Sequence, residues 1–259
     1  MAILTTHDLS VGFKNGKAET ILLSGLNLTL EQGTLTALLG RNGAGKSTLL
    51  RAIGGSERPL AGGVKINGED LHNMTFAQAA RLIALVTTER VSVGALTVKE
   101  LVELGRQPHT GFLGKLSAQD REVVERAMES TGIKEMAGKM MSQLSDGERQ
   151  KVMIARALAQ ETPVIILDEP TAFLDVANRI ETMQLLGELA HAQGKAVLLS
   201  SHDISQSLRL ADQLWLVTDD RHVICDSPQD ILDNNDMDRI FNSGHIRFNP
   251  TLLDFDYKS

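Results

Sequence analysis

A glycine-rich segment between an apolar run and the start of an amphipathic helix constrains this chain more than any other feature. Residues 40–47 read Gly-Arg-Asn-Gly-Ala-Gly-Lys-Ser and match the pattern G-x-x-x-x-G-K-S/T. Residues 35–39 predict a buried strand before the segment, and Leu49, Leu50 and Ile53 give the following helix an apolar face. In that setting backbone N–H groups can surround phosphate oxygens at the positive end of the helix. The sequence therefore predicts a site for a nucleoside triphosphate.

The predicted phosphate site gives two side chains a specific role. Lys46 reaches the β- and γ-phosphates, and the Ser47 hydroxyl ligates Mg²⁺. A glycine-rich turn with a solvated lysine is the alternative, which the full match between a strand and a helix disfavours. The residues expected to contact the nucleotide here are Gly40, Arg41, Asn42, Gly43, Ala44, Gly45, Lys46, Ser47 and Thr48.

Composition and charge argue against several classes of protein. The formal net charge of −7 disfavours nucleic-acid binding, and no basic run is present that would attract anionic lipid. No apolar run approaches the length of a membrane-spanning helix, and residues 1–7 lack the features of a signal peptide. The single cysteine, Cys225, fits a reducing compartment and is expected to fill space in a strand. We therefore expect a cytosolic protein without direct membrane insertion.

The order of strand and helix patterns indicates an α/β fold. Short strands are expected up to about residue 70, with a turn at Asn67-Gly68, and helices between residues 96 and 141. Strands return at 164–167 and 196–199, with a helix between them. This alternation predicts a mostly parallel sheet covered on both faces.

Local signals place further elements. Ser117 and Asp120 form a capping-box pattern that predicts a helix ending near Gly132. Strands at 214–217 and 222–225 are expected to pair with each other, and a short helix should begin with proline at residue 228.

Two carboxylates end the apolar strand at 164–167. Ligands of open α/β sheets bind at the carboxyl ends of the strands, where Asp168 and Glu169 are expected. Asp168 can hold Mg²⁺, and Glu169 can polarise the water that attacks the γ-phosphate. A solvated strand end is the alternative, but a phosphate site on the same sheet requires a carboxylate that holds the metal.

A second phosphate contact is suggested by Leu-Ser-Asp-Gly-Glu at residues 144–148. Ser145 is expected to cap a helix, with Glu148 returning the capping-box bond. Gly147 leaves the N-terminus of that helix accessible, so that backbone N–H groups and the Ser145 hydroxyl could meet a phosphate.

The order of these motifs resembles the nucleotide-binding subunit of an ABC transporter. The phosphate loop is followed by Leu-Ser-Asp-Gly-Glu, by Leu-Asp-Glu-Pro at 167–170 and by Ser-Ser-His-Asp at 200–203. The resemblance implies an ABC-type P-loop NTPase with a mostly parallel core, an N-terminal antiparallel β subdomain and an inserted helical subdomain. The implied division is one domain, 1–259, with the core and β subdomain at 1–94 and 151–226, the helical subdomain at 95–150, and a C-terminal extension at 227–259.

The resemblance also implies a homodimer that closes head to tail around two ATP molecules. Ser145 and Gly147, with Glu148 beside them, would contact the γ-phosphate bound to the partner's Lys46. Asp175 falls in the loop that crosses this interface, and His202 matches the histidine that contacts the γ-phosphate. Phe13 falls where the family places an aromatic ring against adenine, with core packing as an equal alternative.

The sequence departs from the family pattern in two places. Asp146 and Glu148 replace the commonest glycine and glutamine, which adds negative charge near phosphates. The loop after residues 82–86 usually carries a glutamine that contacts Mg²⁺, and here Thr88 takes that place. A hydroxyl can ligate Mg²⁺ but reaches less far than an amide.

These motifs predict an ATPase subunit of an importer, driving two membrane-spanning permease subunits. Residues 96–109, which end Glu-Leu-Gly-Arg-Gln-Pro-His, resemble the subgroup that serves iron–siderophore, haem and cobalamin uptake. The resemblance implies a substrate-binding protein as an indirect partner, and a peripheral location on the inner face of the membrane through the permease.

Two other functions remain open on the sequence. One is a soluble ABC ATPase in a non-transport assembly such as iron–sulfur cluster biogenesis, and the other is an ATP-gated binding module with weak turnover. The helical stretch at 96–141 favours transport, because it offers a surface on which a helix of a membrane protein could dock.

Overall fold

A six-stranded, mostly parallel sheet is the largest sheet of this chain that the structure describes. The computed structural model describes residues 1–16, 18–87, 95–111, 114–172, 174–241 and 245–257. Across the sheet the strands are β11 (Val223–Asp226), β10 (Gln213–Val217), β4 (Leu35–Leu39), β9 (Ala196–Ser200), β8 (Val164–Leu167) and β7 (Ile83–Val86). Only β11 runs antiparallel to its neighbour. This arrangement confirms the predicted α/β class and the predicted pairing of the strands near 214–217 and 222–225.

Both faces of this sheet are covered. Leu35, Ala37 and Leu39 of β4 lie in one apolar cluster, whereas Leu38 lies in another. Alternate side chains of a strand point to opposite faces, so the two clusters lie on opposite sides of the sheet. Helices α6 (Val176–His191) and α7 (Ile204–Leu210) contribute to the first cluster, and α1 (Lys46–Ile53) contributes to the second.

A second sheet is antiparallel and contains the N-terminus. Its strands are β1 (Ala2–Asn15), β2 (Ala18–Leu26), β3 (Thr29–Glu31), β5 (Ala61–Ile66) and β6 (Glu69–Asp70). The turn at Asn67-Gly68 joins β5 to β6, and both of its residues have positive φ, as the hairpin signal predicts.

The prediction of only short strands in this region is wrong for β1, which is 14 residues long. It pairs with β2, β3 and β5 along different parts of its length, and the register shifts between Leu9 and Val11 and between His7 and Ser10. Asp8 lies within the second of these shifts in a left-handed conformation, with φ of 44°. Such irregularities break the alternation of polar and apolar residues that reveals a strand in a sequence.

Most of the chain between β6 and β8 that the structure describes as regular elements is helical. Their bounds are α2 (Phe76–Ala79), α3 (Val98–Glu103), α4 (Ala118–Ser130) and α5 (Asp146–Ala159). The Ser117 hydroxyl accepts from the Asp120 N–H and donates to its carboxylate, which confirms the predicted capping box. Since α5 runs through residue 150, one helix extends from the proposed helical subdomain into the core.

Arg106 ties the helical region to the end of α5. The residue is 4% exposed, and its guanidinium donates to Asp120 Oδ1 at 2.9 Å, to Ala159 O at 2.7 Å and to Glu161 Oε2 at 2.7 Å. Hydrogen bonds from the Ser117 hydroxyl and N–H, with a further contribution from Arg106, lower the pKa of Asp120 to about 2. The Asp120 carboxylate therefore stays charged and paired at neutral pH.

The C-terminal region forms elements that sequence patterns only partly indicate. Helix α8 (Pro228–Asp233) begins with the predicted proline and is followed by α9 (Asp236–Phe241). A hairpin of β12 (Ile246–Asn249) and β13 (Asp254–Tyr257) was not predicted, because its short strands are half polar. Phe255 packs edge-on against Phe241 and Phe248, with ring centroids 5.7 and 5.4 Å away.

Two expectations from composition can be compared with the structure. Cys225 lies in β11, as predicted, and burial raises the pKa of its thiol to about 12. Among the residues that the structure describes, no helix is long and apolar enough to span a membrane.

Candidate nucleotide site

The phosphate loop connects β4 to α1 at the carboxyl end of the parallel strands. Gly45 is the N-cap of α1 and has φ of 98°, a conformation that favours glycine. A Cβ atom on Gly40 would lie 2.9 Å from Cβ of Val217 in the neighbouring strand, so a side chain cannot be added there without a shift. The backbone therefore forms a tight cradle against the sheet, as a loop that wraps phosphates requires.

Lys46 is buried at the start of α1, with only 5% of its surface exposed. Its ammonium donates to Gly40 O at 2.8 Å and to Arg41 O at 3.2 Å, so it curls back over the loop. Burial lowers the pKa of Lys46, and the negative charges of Glu169 and Asp168 oppose that effect. A cation held over the loop in this way can meet phosphate oxygens.

Asp168 joins three chain segments through one carboxylate. Its Oδ1 accepts from the Ser47 hydroxyl at 3.1 Å and from the Ser200 hydroxyl at 2.7 Å. These residues follow or end β8, β4 and β9, which are neighbouring parallel strands. A hydroxyl and a carboxylate oxygen that converge at a phosphate loop are the ligands that Mg²⁺ prefers, so Ser47 and Asp168 fit the predicted metal site.

Glu169 turns the chain immediately after β8. It has φ of 49°, in the left-handed region that costs a non-glycine residue about 1–2 kcal/mol. Its N–H donates to Ser200 Oγ at 2.8 Å, and its carboxylate contacts His202 Nε2 at 2.5 Å. Glu169 and His202 are partly exposed beside Asp168, where an oxygen of a bound ligand can reach them.

A surface pocket of about 180 Å³ opens beside this pair. Arg179 lies at its wall, 3.9 Å from Asp203, and donates to Leu174 O at 2.8 Å. The residues that line the pocket are Glu169, Thr171, Ala172, Arg179, Ser201, His202 and Asp203. Four of these seven residues lie in the quoted sequence motifs, and the sequence assigns a role to only two of them, Glu169 and His202.

The helix N-terminus at Ser145 lies beside that of α6. The Ser145 hydroxyl and Glu148 form the predicted capping box, and hydrogen bonds from the Ser145 N–H and hydroxyl lower the pKa of Glu148. A Cβ atom on Gly147 would be 3.2 Å from Cγ of Asn178, which itself bonds to Asp175 at 2.9 Å. Within the described chain, Ser145, Gly147 and Glu148 make no hydrogen bond or ion pair with residues 40–48.

The remaining predicted contacts lie around the loop. Phe13 is 53% exposed on β1, so packing in the core is excluded for it, and adenine stacking stays a prediction. Arg41 is exposed and 3.6 Å from Asp219, whereas Thr48 is buried in α1. Thr88, the predicted substitute for the usual glutamine, lies outside the described residues.

Sequence reasoning missed Ser200 as part of this cluster. It was noted only as the start of the Ser-Ser-His-Asp motif, and its hydroxyl contacts both carboxylate residues. A polar residue at the end of an otherwise apolar buried strand was the available signal.

A comparison with protein-family models finds one match. The family described as ABC transporter matches residues 23–172, which span the phosphate loop, the Ser145 motif and both carboxylates.

Individual relatives agree with that match. The iron(3+)-hydroxamate import ATP-binding protein of Bacillus subtilis is 38% identical over 211 residues, covering 82% of this chain and 77% of that protein. A solved metal-chelate type ABC transporter in an inward-facing conformation superposes with a TM-score of 0.80 and 29% identity, over 95% of this chain and 90% of that one. A dimeric ATP-binding cassette in a post-hydrolysis state with ADP and Pi has a TM-score of 0.75 and 27% identity, over 87% of this chain and 99% of that one.

Proposed function

The chain belongs to the ABC transporter family and is an ATP hydrolase coupled to transmembrane transport; on this premise, we propose that it powers an importer for iron chelates, haem or cobalamin. The observation that carries the proposal is the convergence of Lys46, the Ser47–Asp168 pair and the Glu169–His202 pair at the ends of β4, β8 and β9. The import of an iron chelate by the Bacillus relative supports the substrate class.

The residues of the site have different roles in phosphoryl transfer. Lys46 binds the β- and γ-phosphates, and Ser47 and Asp168 hold Mg²⁺, which when bound neutralises charge on the phosphate oxygens. Glu169 accepts a hydrogen bond from the attacking water and polarises it. His202 orients Glu169 and contacts the γ-phosphate, so that the reacting groups are held in line.

The active unit is a head-to-tail homodimer. The positive end of α5, where Ser145 is exposed, suits an anion, yet Ser145 has no hydrogen bond to its own phosphate loop among the described residues. A partner subunit's nucleotide can supply that anion, with Asp175 at the interface between the two. The dimeric cassette with ADP and Pi supports this arrangement.

Complementation between inactive subunits tests the shared site. Lys46→Ala removes the phosphate cation, and Ser145→Arg blocks the helix N-terminus. Each variant alone should fail to occlude ATP, whereas a mixed dimer contains one site with both motifs intact and should occlude ATP and hydrolyse it. Radiolabelled ATP retained after rapid gel filtration is the measurement. If mixing restores nothing although native mass spectrometry shows mixed dimers, the head-to-tail model is wrong.

The membrane partners follow from the importer assignment. We propose the division 1–94 with 151–226, 95–150 and 227–259 as core with β subdomain, helical subdomain and C-terminal extension. The helical subdomains of the homodimer dock against two permease subunits. The subunit is then peripheral on the inner face of the membrane, and a substrate-binding protein acts indirectly through the permease. No nucleic acid takes part.

Purification with a membrane partner tests the transport role. The tagged chain, expressed in its source cells and extracted in detergent, should purify with a polytopic protein that stimulates its ATPase activity after reconstitution. Glu169→Gln protein should retain the partner but show no stimulated turnover. An ATPase that purifies only with soluble assembly factors would favour a non-transport role, such as iron–sulfur cluster biogenesis.

A further inference from the structure

The last residue of β9 bridges the two carboxylate residues at the end of β8. Ser200 is fully buried, with 0% of its surface exposed. Its hydroxyl donates to Asp168 Oδ1 at 2.7 Å and accepts from the Glu169 N–H at 2.8 Å. One hydroxyl group therefore contacts both the residue that fits the metal and the residue that fits the water.

The two bonds fix the direction of the Ser200 hydroxyl. A serine hydroxyl has a single hydrogen to donate, and here it points to Asp168, which leaves the lone pairs for Glu169. Rotation of the side chain would break one bond or the other. A buried hydroxyl thus sets the distance between the Asp168 carboxylate and the Glu169 backbone N–H.

The backbone of Glu169 needs such a restraint. Its φ of 49° is uncommon for a residue with a side chain, and this conformation directs the chain away from β8. The carboxylate of Glu169 then reaches His202, which lies two residues after Ser200 on the same segment. Residues 200–202 hold Glu169 at two points, its N–H and its carboxylate.

We propose that Ser200 is a positioning residue for ATP hydrolysis, which sets the spacing between the carboxylate that holds Mg²⁺ and the carboxylate that polarises water. Because β9 lies between β4 and β8, the same hydroxyl also keeps Asp168 aligned with Ser47 on the phosphate-loop side. The inference rests on ATP hydrolysis at this site, and it is independent of the transported substrate and of the dimer geometry.

Ser200→Ala separates positioning from binding. The variant should have about 10²-fold lower kcat, the cost of a misplacement of about 1 Å, with an unchanged KM for ATP. The amide hydrogen of Glu169 should exchange with solvent faster than in the wild type, because its acceptor is gone. Steady-state kinetics and hydrogen–deuterium exchange measured residue by residue are the readouts, and the exchange is measured without nucleotide.

Two further variants control for folding. Ser200→Cys leaves no cavity, because sulfur is larger than oxygen, but it donates weakly, so it should also lower kcat. Ser207→Ala removes another fully buried serine hydroxyl, which donates to Asp203 O at 2.7 Å without touching Asp168 or Glu169, and should leave kcat unchanged.

Three results would overturn the inference. They are wild-type kcat in Ser200→Ala, unchanged exchange of the Glu169 amide, and an equal loss of activity and melting temperature in Ser200→Ala and Ser207→Ala. If Glu169→Gln is inactive while Ser200→Ala is normal, only the role of Ser200 fails. If both retain full turnover, the catalytic site itself is misassigned.

Discussion

Glu169→Gln is expected to lower ATP turnover by about 10²–10⁴-fold, the usual contribution of a general base, and to leave ATP binding intact. The amide keeps the shape of the carboxylate and can still contact His202, but it lacks the charge that polarises water. The variant should therefore bind MgATP, dimerise and remain dimeric. Phosphate release gives the rate, and size-exclusion chromatography with MgATP gives the oligomeric state.

Glu161→Gln is a matched control for this change. Glu161 also has a left-handed backbone, with φ of 52°, but it pairs with Arg106 at the opposite end of β8. It should hydrolyse ATP like the wild type. A Glu169→Gln protein that stays monomeric and hydrolyses ATP at the wild-type rate would remove Glu169 from the mechanism.

His202→Ala is expected to lower hydrolysis by about 10²–10³-fold, the loss typical when one preorganised contact to the reacting phosphate is removed. The side chain is 45% exposed and, within the described part of the chain, its hydrogen bond is to Glu169, so its loss should have little effect on the free energy of unfolding. Hydrolysis rates and thermal melting, measured on the same preparation, separate the two effects.

His191→Ala provides the comparison for His202→Ala. His191 is 52% exposed and also contacts a carboxylate, that of Asp212, at 2.8 Å, but Asp212 accepts from the Leu35 N–H at the start of β4, the end of the strand opposite to the phosphate loop. It should retain wild-type turnover. A melting midpoint for His202→Ala far below those of the wild type and His191→Ala would indicate that His202 is a structural residue.

Much of the site could be predicted from the sequence because its key residues lie in short segments. The phosphate loop, the Asp168–Glu169 pair and the capping boxes at Ser117 and Ser145 depend on contacts within a few residues or at the end of one strand. The turn at Asn67-Gly68 is local in the same way. The parallel direction of the strands could also be predicted from the alternation of strand and helix, because each helix brings the chain back to the end of the sheet at which the previous strand began.

Other features could not be predicted, because they depend on which strands are neighbours. Phe13 had core packing and adenine stacking as equal interpretations, and only the exposure of its side chain on β1 excludes the core. The length of β1 was hidden by its bulges. The aromatic contacts of Phe255 join residues whose separation in the chain carries no pattern.

The sequence alone determined the fold class, the nucleotide loop and which residue types can do the chemistry, since these are set by periodicity and by local backbone geometry. The tertiary structure decided how the groups are connected. Strand β9 lies between β4 and β8, although it follows both in the chain, and this order places Ser200 against Asp168 and His202 against Glu169 across 32 and 33 residues. Hydrogen bonds over such separations depend on strand order and register, which follow from the packing of the whole sheet and not from any one segment.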